Sequence, residues 1–175
     1  SSDVCSSDLI GLGGLGHMGV QHAHAMGASV TLFSHSPAKE EDARRLGADD
    51  FVLLNDAPAM KDREMTFDFI VNTASASMNL NPIFNLLSTD GTLCYVGLPD
   101  QPLSVNTFAL IGQRRNVSGS MVGGLTDIQD MLDFCADHNY ASQVEVISAA
   151  AINEAWDRVV ASDVRYRFVI DASSF

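Results

Sequence analysis

The stretch Gly11-Leu12-Gly13-Gly14-Leu15-Gly16 decides the fold of this chain. Its glycines have the spacing of a turn that lets the backbone approach a diphosphate closely and lets the following helix pack against a sheet. The N–H groups at the start of that helix would face the phosphates. We therefore predict a dinucleotide-binding turn made of Gly11, Leu12, Gly13, Gly14, Leu15 and Gly16.

The residues on either side of the turn favour the same interpretation. Apolar Leu9 and Ile10 precede it, the next segment reads as a helix that ends at Gly27, and residues 29–33 form a second apolar run. A glycine turn alone is weak evidence, because such turns also end ordinary strands. Within a strand, helix and strand unit, however, it predicts the first part of a Rossmann-type sheet.

The residues after the second apolar run bear on which dinucleotide is bound. Domains of this type that bind NAD usually carry an acidic residue there, which holds the ribose hydroxyls. This chain has Ser34, His35, Ser36 and Lys39 instead. Such groups can donate hydrogen bonds to a 2′-phosphate, whereas a carboxylate would repel it, so we predict that the coenzyme is NADP. A second interpretation, in which Ser36 and Pro37 cap the next helix, is compatible with phosphate contact.

Helical and apolar segments alternate along the rest of the chain. The patterns predict helices over 39–46, 80–87 and 126–138, strands over 51–54, 67–71, 92–96 and 116–120, an edge strand over 103–105 and a helical turn over 107–112. Parallel strands need helical crossovers between them. The alternation therefore predicts an α/β fold with a doubly wound parallel sheet.

Four residues at predicted strand ends are further candidates for contact with the coenzyme. In doubly wound sheets, ligands bind beyond the carboxyl ends of the strands. Thr73, Val96, Gly97 and Ser120 fall at such ends, where small residues and backbone groups suit a planar, carboxamide-bearing nicotinamide ring. Ordinary strand-to-loop transitions account for each of these residues equally well.

Composition and charge exclude several kinds of partner. The 175 residues carry a formal net charge of -12 without a basic run, so nucleic acids and anionic membranes would be poor partners. The chain has neither an apolar run of about 20 residues nor a signal-like segment, and we expect a cytoplasmic protein. Cys5, Cys94 and Cys135 have unrelated spacings, which predict neither a disulfide framework nor a zinc-ligand set.

The beginning of the chain differs in character from the rest. Ser1 to Leu9 are polar and serine-rich where a buried central strand needs apolar residues. The codons AGT TCA GAC GTG TGC TCT TCC GAT CT(N) would encode them, and this string resembles a sequencing adapter read through as protein. We therefore expect residues 1–9 to be a non-native leader, residues 10–143 to be the dinucleotide-binding domain and residues 144–175 to be a tail.

Several ordered segments resemble the zinc-dependent medium-chain alcohol dehydrogenases, in particular the cinnamyl alcohol dehydrogenase-like branch. They are GLGGLGHMGVQHAHAMGA (11–28), SHSPAKEEDARRLGADDFV (34–52), DFIVNTAS (68–75), GTLCYVGLP (91–99), GSMVGG (119–124), MLDFCADHN (131–139), INEAWDRV (152–159) and DVRYRFVID (163–171). The resemblance implies reversible reduction of an aldehyde to a primary alcohol. NADPH would deliver the hydride, and a catalytic zinc would polarise the carbonyl oxygen.

The resemblance also implies what this chain does not carry. The family's zinc ligands belong to a lobe that precedes the glycine turn, and no residue here matches them, including Cys94, Cys135, His17, His22, His24, His35 and His138. We therefore expect no metal ligand and no catalytic residue, a tail that normally packs partly on that lobe, and a chain that binds NADP(H) but is inactive alone. The resemblance further implies a homodimer, with Leu103 to Leu110 as a candidate pairing edge.

Three other functions compete with the coenzyme lobe of an alcohol dehydrogenase. A non-catalytic module that senses NADP(H) would need the same turn and no zinc ligands. A short-chain dehydrogenase would carry Tyr and Lys four residues apart, but Tyr95, Tyr140 and Tyr166 are followed at that distance by Pro99, Val144 and Ile170. A methyltransferase usually has an acidic residue where Ser34 stands. We favour the dehydrogenase, acting on a small aldehyde or alcohol.

Overall fold

A computed structural model describes residues 6–175, and a sheet of parallel strands lies at the centre of this part of the chain. Its strands are β1 (Ser7–Ile10), β2 (Thr31–Ser34), β3 (Asp50–Leu53), β4 (Phe67–Asn72), β5 (Leu87–Tyr95) and β6 (Asn116–Gly119). They pair in the order β3-β2-β1-β4-β5-β6, so the chain changes direction across the sheet between β1 and β4. This topology confirms the predicted doubly wound parallel sheet.

Helices lie on both faces of the sheet. They are α1 (Gly16–Ala25), α2 (Glu40–Arg45), α3 (Ala57–Lys61), α4 (Asn81–Leu86), α5 (Thr107–Ile111), α6 (Leu125–Asp137) and α7 (Ile152–Val160). One hydrophobic cluster joins α1 and α2 to the sheet through Val20, Leu32 and Ala43. A second joins the opposite face to α4 through Phe33 and Phe84. Among the helices of residues 6–175, none combines the length and hydrophobicity needed to span a bilayer.

The tail forms a small unit of two strands and a connecting helix. Strands β7 (Val144–Ile147) and β8 (Arg167–Ile170) pair in parallel, and α7 connects them. Arg158 of α7 lies over the ring of Phe168 at 4.8 Å and forms an ion pair with Glu145. Several apolar side chains of this unit are exposed: Val144, Val146, Trp156, Val159, Val160, Val169 and Ile170. Whether they normally pack on another lobe stays a prediction.

One predicted strand and one predicted strand boundary were wrong. Residues 103–105 form no strand, and β6 is the edge of the sheet on that side. Strand β5 begins at Leu87, earlier than the predicted start at residue 92, because Leu87 leaves the helical conformation and pairs with Phe67. Its buried side chain belongs to the hydrophobic core on the α4 face.

Strand β1 includes part of the segment expected to be a leader. Residues 1–5, with Cys5, lie outside the described residues, but Ser7 begins the central strand. Asp8 is fully buried there, and its Oδ1 accepts a hydrogen bond from the backbone N–H of Thr31 at 3.1 Å. Its other carboxylate oxygen has no hydrogen-bond partner among residues 6–175. A half-satisfied buried acid fits a central strand poorly, and the non-native leader stays a prediction.

Candidate coenzyme-binding site

The glycine turn connects β1 to α1 and has the geometry that its glycines predict. Gly11 has a φ of 93°, a left-handed conformation that glycine adopts without strain, and its N–H donates to the carbonyl of Phe33 at 2.9 Å. A Cβ on Gly16 would lie 2.0 Å from the carbonyl oxygen of Gly11, so no side chain fits there. A Cβ on Gly13 would meet nothing within 4 Å. The turn is therefore closed towards the protein and open on the side of Gly13.

The start of α1 leaves its positive end available to an anion. Leu15 occupies the N-cap position, no side chain caps the helix, and its first turn contains no acidic residue. Because the backbone N–H groups and the dipole of an uncapped helix start attract negative charge, this end suits a phosphate. The fit with a diphosphate therefore rests on both the open space at Gly13 and the charge at α1.

The residues after β2 lie beside the turn. Lys39 Nζ donates a hydrogen bond to the carbonyl oxygen of Leu12 at 2.5 Å, which joins the two segments directly. The buried Ser34 accepts the N–H of Ser36 through its Oγ at 3.1 Å, and His35 is exposed. Ser36 makes no side-chain capping bond to the short 3₁₀ turn Pro37–Lys39. The structure therefore shows no hydrogen bond that would support the interpretation of Ser36 as a helix cap.

The four residues predicted at strand ends line one cavity of about 1420 Å³, together with Leu15. Val96 and Gly97 donate their N–H groups to the carbonyl of Asn72 at 3.0 Å, and Ser120 is exposed at the end of β6. Thr73 also supports the turn, because its single hydroxyl proton is within hydrogen-bond distance of the carbonyls of Ile10 (2.9 Å) and Gly11 (3.0 Å). The structure thus brings Thr73, Val96, Gly97 and Ser120 together at the carboxyl edge.

His17 and the tail form a contact behind the turn that the sequence did not predict. The buried imidazole stacks on the ring of Tyr166, with 4.6 Å between the ring centres. Its Nδ1 lies 3.1 Å from the carbonyl oxygen of Gly13, which only accepts, so Nδ1 carries the proton. Nε2 then accepts from Ser142 Oγ at 3.1 Å and from the N–H of Gln143 at 3.3 Å. Burial lowers the pKa of His17 and favours this neutral form.

Arg167 is a second residue of the tail at the glycine turn that was not predicted from the sequence. Its Nη2 donates to the carbonyl oxygen of Gly14 at 3.2 Å, and its side chain is exposed at the turn. A guanidinium in this place suits the negative charge of a diphosphate. The residue stands more than 150 positions from the turn, so no local motif links the two.

The described residues do not fit a zinc ion. Among residues 6–175, no group of three or more His, Cys, Asp or Glu side chains could hold a metal. Cys135 is buried with its Sγ 3.6 Å from Met131 Sδ, and Cys94 is partly buried as a free thiol. We therefore assign no ligand and no step through zinc to these residues.

The sheet order, the glycine turn after its central strand and the cavity at the carboxyl ends define a Rossmann-type dinucleotide-binding domain. The family model described as zinc-binding dehydrogenase matches residues 14–137. The chain therefore belongs to the zinc-binding dehydrogenase family, which confirms the resemblance predicted from its motifs.

Relatives and solved structures agree with this assignment. NADP-dependent alcohol dehydrogenase C 1 from Mycolicibacterium smegmatis is 50% identical over 166 residues, which cover 95% of this chain and 48% of that protein. The structure of a cinnamyl alcohol dehydrogenase from Sorghum bicolor has a TM-score of 0.93 at 42% identity and covers 97% of this chain and 48% of its own. CAD from Helicobacter pylori, crystallised with NADP(H), has a TM-score of 0.86 at 32% identity, with 98% and 49% covered. The chain spans about half the length of the curated relatives it matches.

Proposed function

We propose that this chain is the coenzyme-binding part of an NADP-dependent alcohol dehydrogenase that transfers a hydride between NADP(H) and a primary alcohol or aldehyde. The observation that carries the proposal is the contact of Lys39 with the carbonyl of Leu12. It places an ammonium group beside the glycine turn, in the segment after β2 where NAD-binding domains usually have a carboxylate and this chain has Ser34. The name of the Mycolicibacterium smegmatis relative, which is NADP-dependent, supports the same coenzyme.

Each part of the coenzyme has a proposed place. The diphosphate lies on residues 11–16, where Gly13 leaves space and the start of α1 supplies N–H groups. The 2′-phosphate lies on Ser34, His35, Ser36 and Lys39. The nicotinamide ring extends into the cavity along Val96, Gly97 and Ser120, with Thr73 holding the turn beside it.

The chemistry that these residues provide is binding and orientation. Zinc, which the family uses as a Lewis acid, would have to be held outside residues 6–175, because they offer no ligand set. The chain itself would hold the dinucleotide extended across the carboxyl edge, with the nicotinamide at the end of β5 and β6. We therefore propose that residues 6–175 bind NADP(H) and do not catalyse hydride transfer alone.

A pairing of two chains is also a proposal. The predicted edge at residues 103–110 contains no strand, whereas β6 lies at the edge of the sheet and its residues are exposed. Phe108 and Ile111 of the neighbouring helix α5 are exposed as well. An uncovered edge strand beside apolar side chains favours pairing through this side of the molecule.

Titration of coenzyme fluorescence tests the proposed function. We expect NADPH to bind more tightly than NADH by on the order of a hundredfold, if two charge-assisted contacts contribute about 1.5 kcal/mol each. Lys39→Glu should abolish this preference, because a carboxylate would repel the 2′-phosphate. Lys61→Glu, on the exposed α3, makes the same charge change elsewhere and should leave both affinities unchanged. Equal affinities for the two coenzymes in the unmodified chain would contradict the NADP assignment.

A further inference from the structure

Three consecutive residues of the tail contact α2 and the glycine turn. They are Arg165, Tyr166 and Arg167. Arg165 Nη1 lies 3.0 Å from Asp42 Oδ2. Tyr166 Oη donates to the same carboxylate at 3.0 Å, and Arg167 donates to Gly14 at 3.2 Å. The tail therefore contacts both the segment after β2 and the turn.

Tyr166 fixes the position of this tail segment. Its side chain is buried, it belongs to the hydrophobic cluster that contains Leu12 and Ala43, and it stacks on His17. A ring with contacts on several sides cannot shift without breaking them. Arg165 is thus held in place by its neighbour rather than by its own exposed side chain.

Asp42 is a negative charge close to Lys39, and it forms ion pairs with both Arg45 and Arg165. It stands in the first turn of α2, three residues after Lys39, so the two side chains lie on the same face of this helix. Burial alone would raise the pKa of Asp42, but hydrogen bonds from Arg45 and Tyr166 and the charge of Arg165 lower it, so the carboxylate stays ionised. Its negative charge would repel a phosphate bound at Lys39, but Arg45 already balances that charge at 3.0 Å, so Arg165 adds positive charge beyond the balance.

Arg165 can donate further hydrogen bonds beyond its ion pair with Asp42. Its side chain is 64% exposed, and it contacts Asp42 through Nη1, which leaves donors on the other guanidinium nitrogens. Arg165 and Lys39 lie at the same carboxylate, because Arg165 forms an ion pair with Asp42 and Lys39 precedes Asp42 by three residues at the start of α2. Burial lowers the pKa of Lys39, the charge of Asp42 raises it, and the positive charge of Arg165 lowers it. A pair of neighbouring cations at the end of β2 matches a dianionic group.

We propose that Arg165 is a specificity-determining residue for the 2′-phosphate of NADP(H), to which it donates from the guanidinium that pairs with Asp42. The tail is then the third wall of the coenzyme site, after the turn and the segment 34–39. This inference rests on the proposed function, since it requires that the 2′-phosphate bind beside Lys39.

The test measures the dissociation constants of NADPH and NADH for the full chain and for Arg165→Gln. We expect NADPH binding to weaken about tenfold, as for the loss of one charge-assisted contact, and NADH binding to change less than twofold. Arg165→Lys keeps the charge and should retain most of the preference. Arg114→Gln, which removes an exposed arginine from its ion pair with Asp90, is the matched control and should change neither constant. Circular dichroism checks folding, and Arg165→Met replaces Arg165→Gln if the latter does not fold.

Each outcome separates the two proposals. A chain that prefers NADPH and keeps that preference in Arg165→Gln would overturn the role of Arg165 and leave the proposed function intact. Equal weakening of both coenzymes would assign Arg165 a structural role and overturn the inference. A chain without any preference for NADPH would overturn the proposed coenzyme and the inference with it.

Discussion

Asp8 is completely buried, and one of its carboxylate oxygens has no hydrogen-bond partner in the described part of the chain, so its ionisation opposes folding. Burial raises the pKa of Asp8 from 3.8 to about 7. Because the folded-state value lies above the unfolded one, the penalty is absent below pH 4, grows as the pH rises and is complete above pH 7. The difference corresponds to about 4 kcal/mol, a large part of the stability of an ordinary domain.

Asp8→Asn should remove this pH dependence. The amide oxygen can still accept the N–H of Thr31, and no charge remains to be buried. In urea unfolding, we expect the variant to match the unmodified chain near pH 4 and to exceed it by several kcal/mol at pH 8. Asp62→Asn, at the exposed end of α3, is the control. If Asp8→Asn and Asp62→Asn gained the same stability between these pH values, the burial of a charged Asp8 would be refuted.

A hydrogen bond from the hydroxyl of Tyr166 joins the tail to α2. A substitution can test how much this contact between two elements contributes to stability. Tyr166→Phe keeps the ring on His17 but removes the hydrogen bond to Asp42. A hydrogen bond to a charged group contributes about 2 kcal/mol, so the free energy of unfolding should fall by roughly that amount.

Tyr95→Phe is the matched control for this prediction. The hydroxyl of Tyr95 is buried without a hydrogen-bond partner among the described residues, so its removal should cost nothing or stabilise the chain. Thermal or urea unfolding of both variants gives the comparison. Equal destabilisation by the two substitutions would show that the hydroxyl of Tyr166 has no special role.

At the scale of elements, the sequence predicted those parts whose signals are local. The turn after β1 was visible because its glycines have a recognisable spacing, which the conformation of Gly11 and the close approach at Gly16 require, and the strands of the sheet were visible as apolar runs. Residues 103–105 show the limit of such signals, because an apolar run indicates a strand only where a neighbour offers backbone partners.

The contacts between distant elements could not be predicted from local patterns. Arg165 and Arg167 look like ordinary surface residues in the sequence, and only the folded chain places them on Asp42 and Gly14. His17 is the corresponding case at the turn, since its position at a helix start conceals its contacts with the tail. The sequence therefore offered candidate residues on the sheet side of the site and none on its tail side.

At the scale of the whole molecule, the sheet leaves one face partly uncovered. The crossovers from β3 to β6 run in one direction and, being right-handed, place their helices on a single face. On the opposite face, the exposed Phe69 and the neighbouring Val71 of β4 line the cavity that also contains the predicted nicotinamide contacts. The length of the curated relatives, about twice the part matched here, is consistent with further chain beyond these residues in such proteins.

The most direct test of the central claim is a crystal structure of the chain with NADPH. We expect the diphosphate on Gly13 and the start of α1, the 2′-phosphate within hydrogen-bond distance of Lys39, and the nicotinamide in the cavity beside Val96 and Gly97. A complex in which the 2′-phosphate points into solvent, or in which the diphosphate lies away from residues 11–16, would contradict this claim.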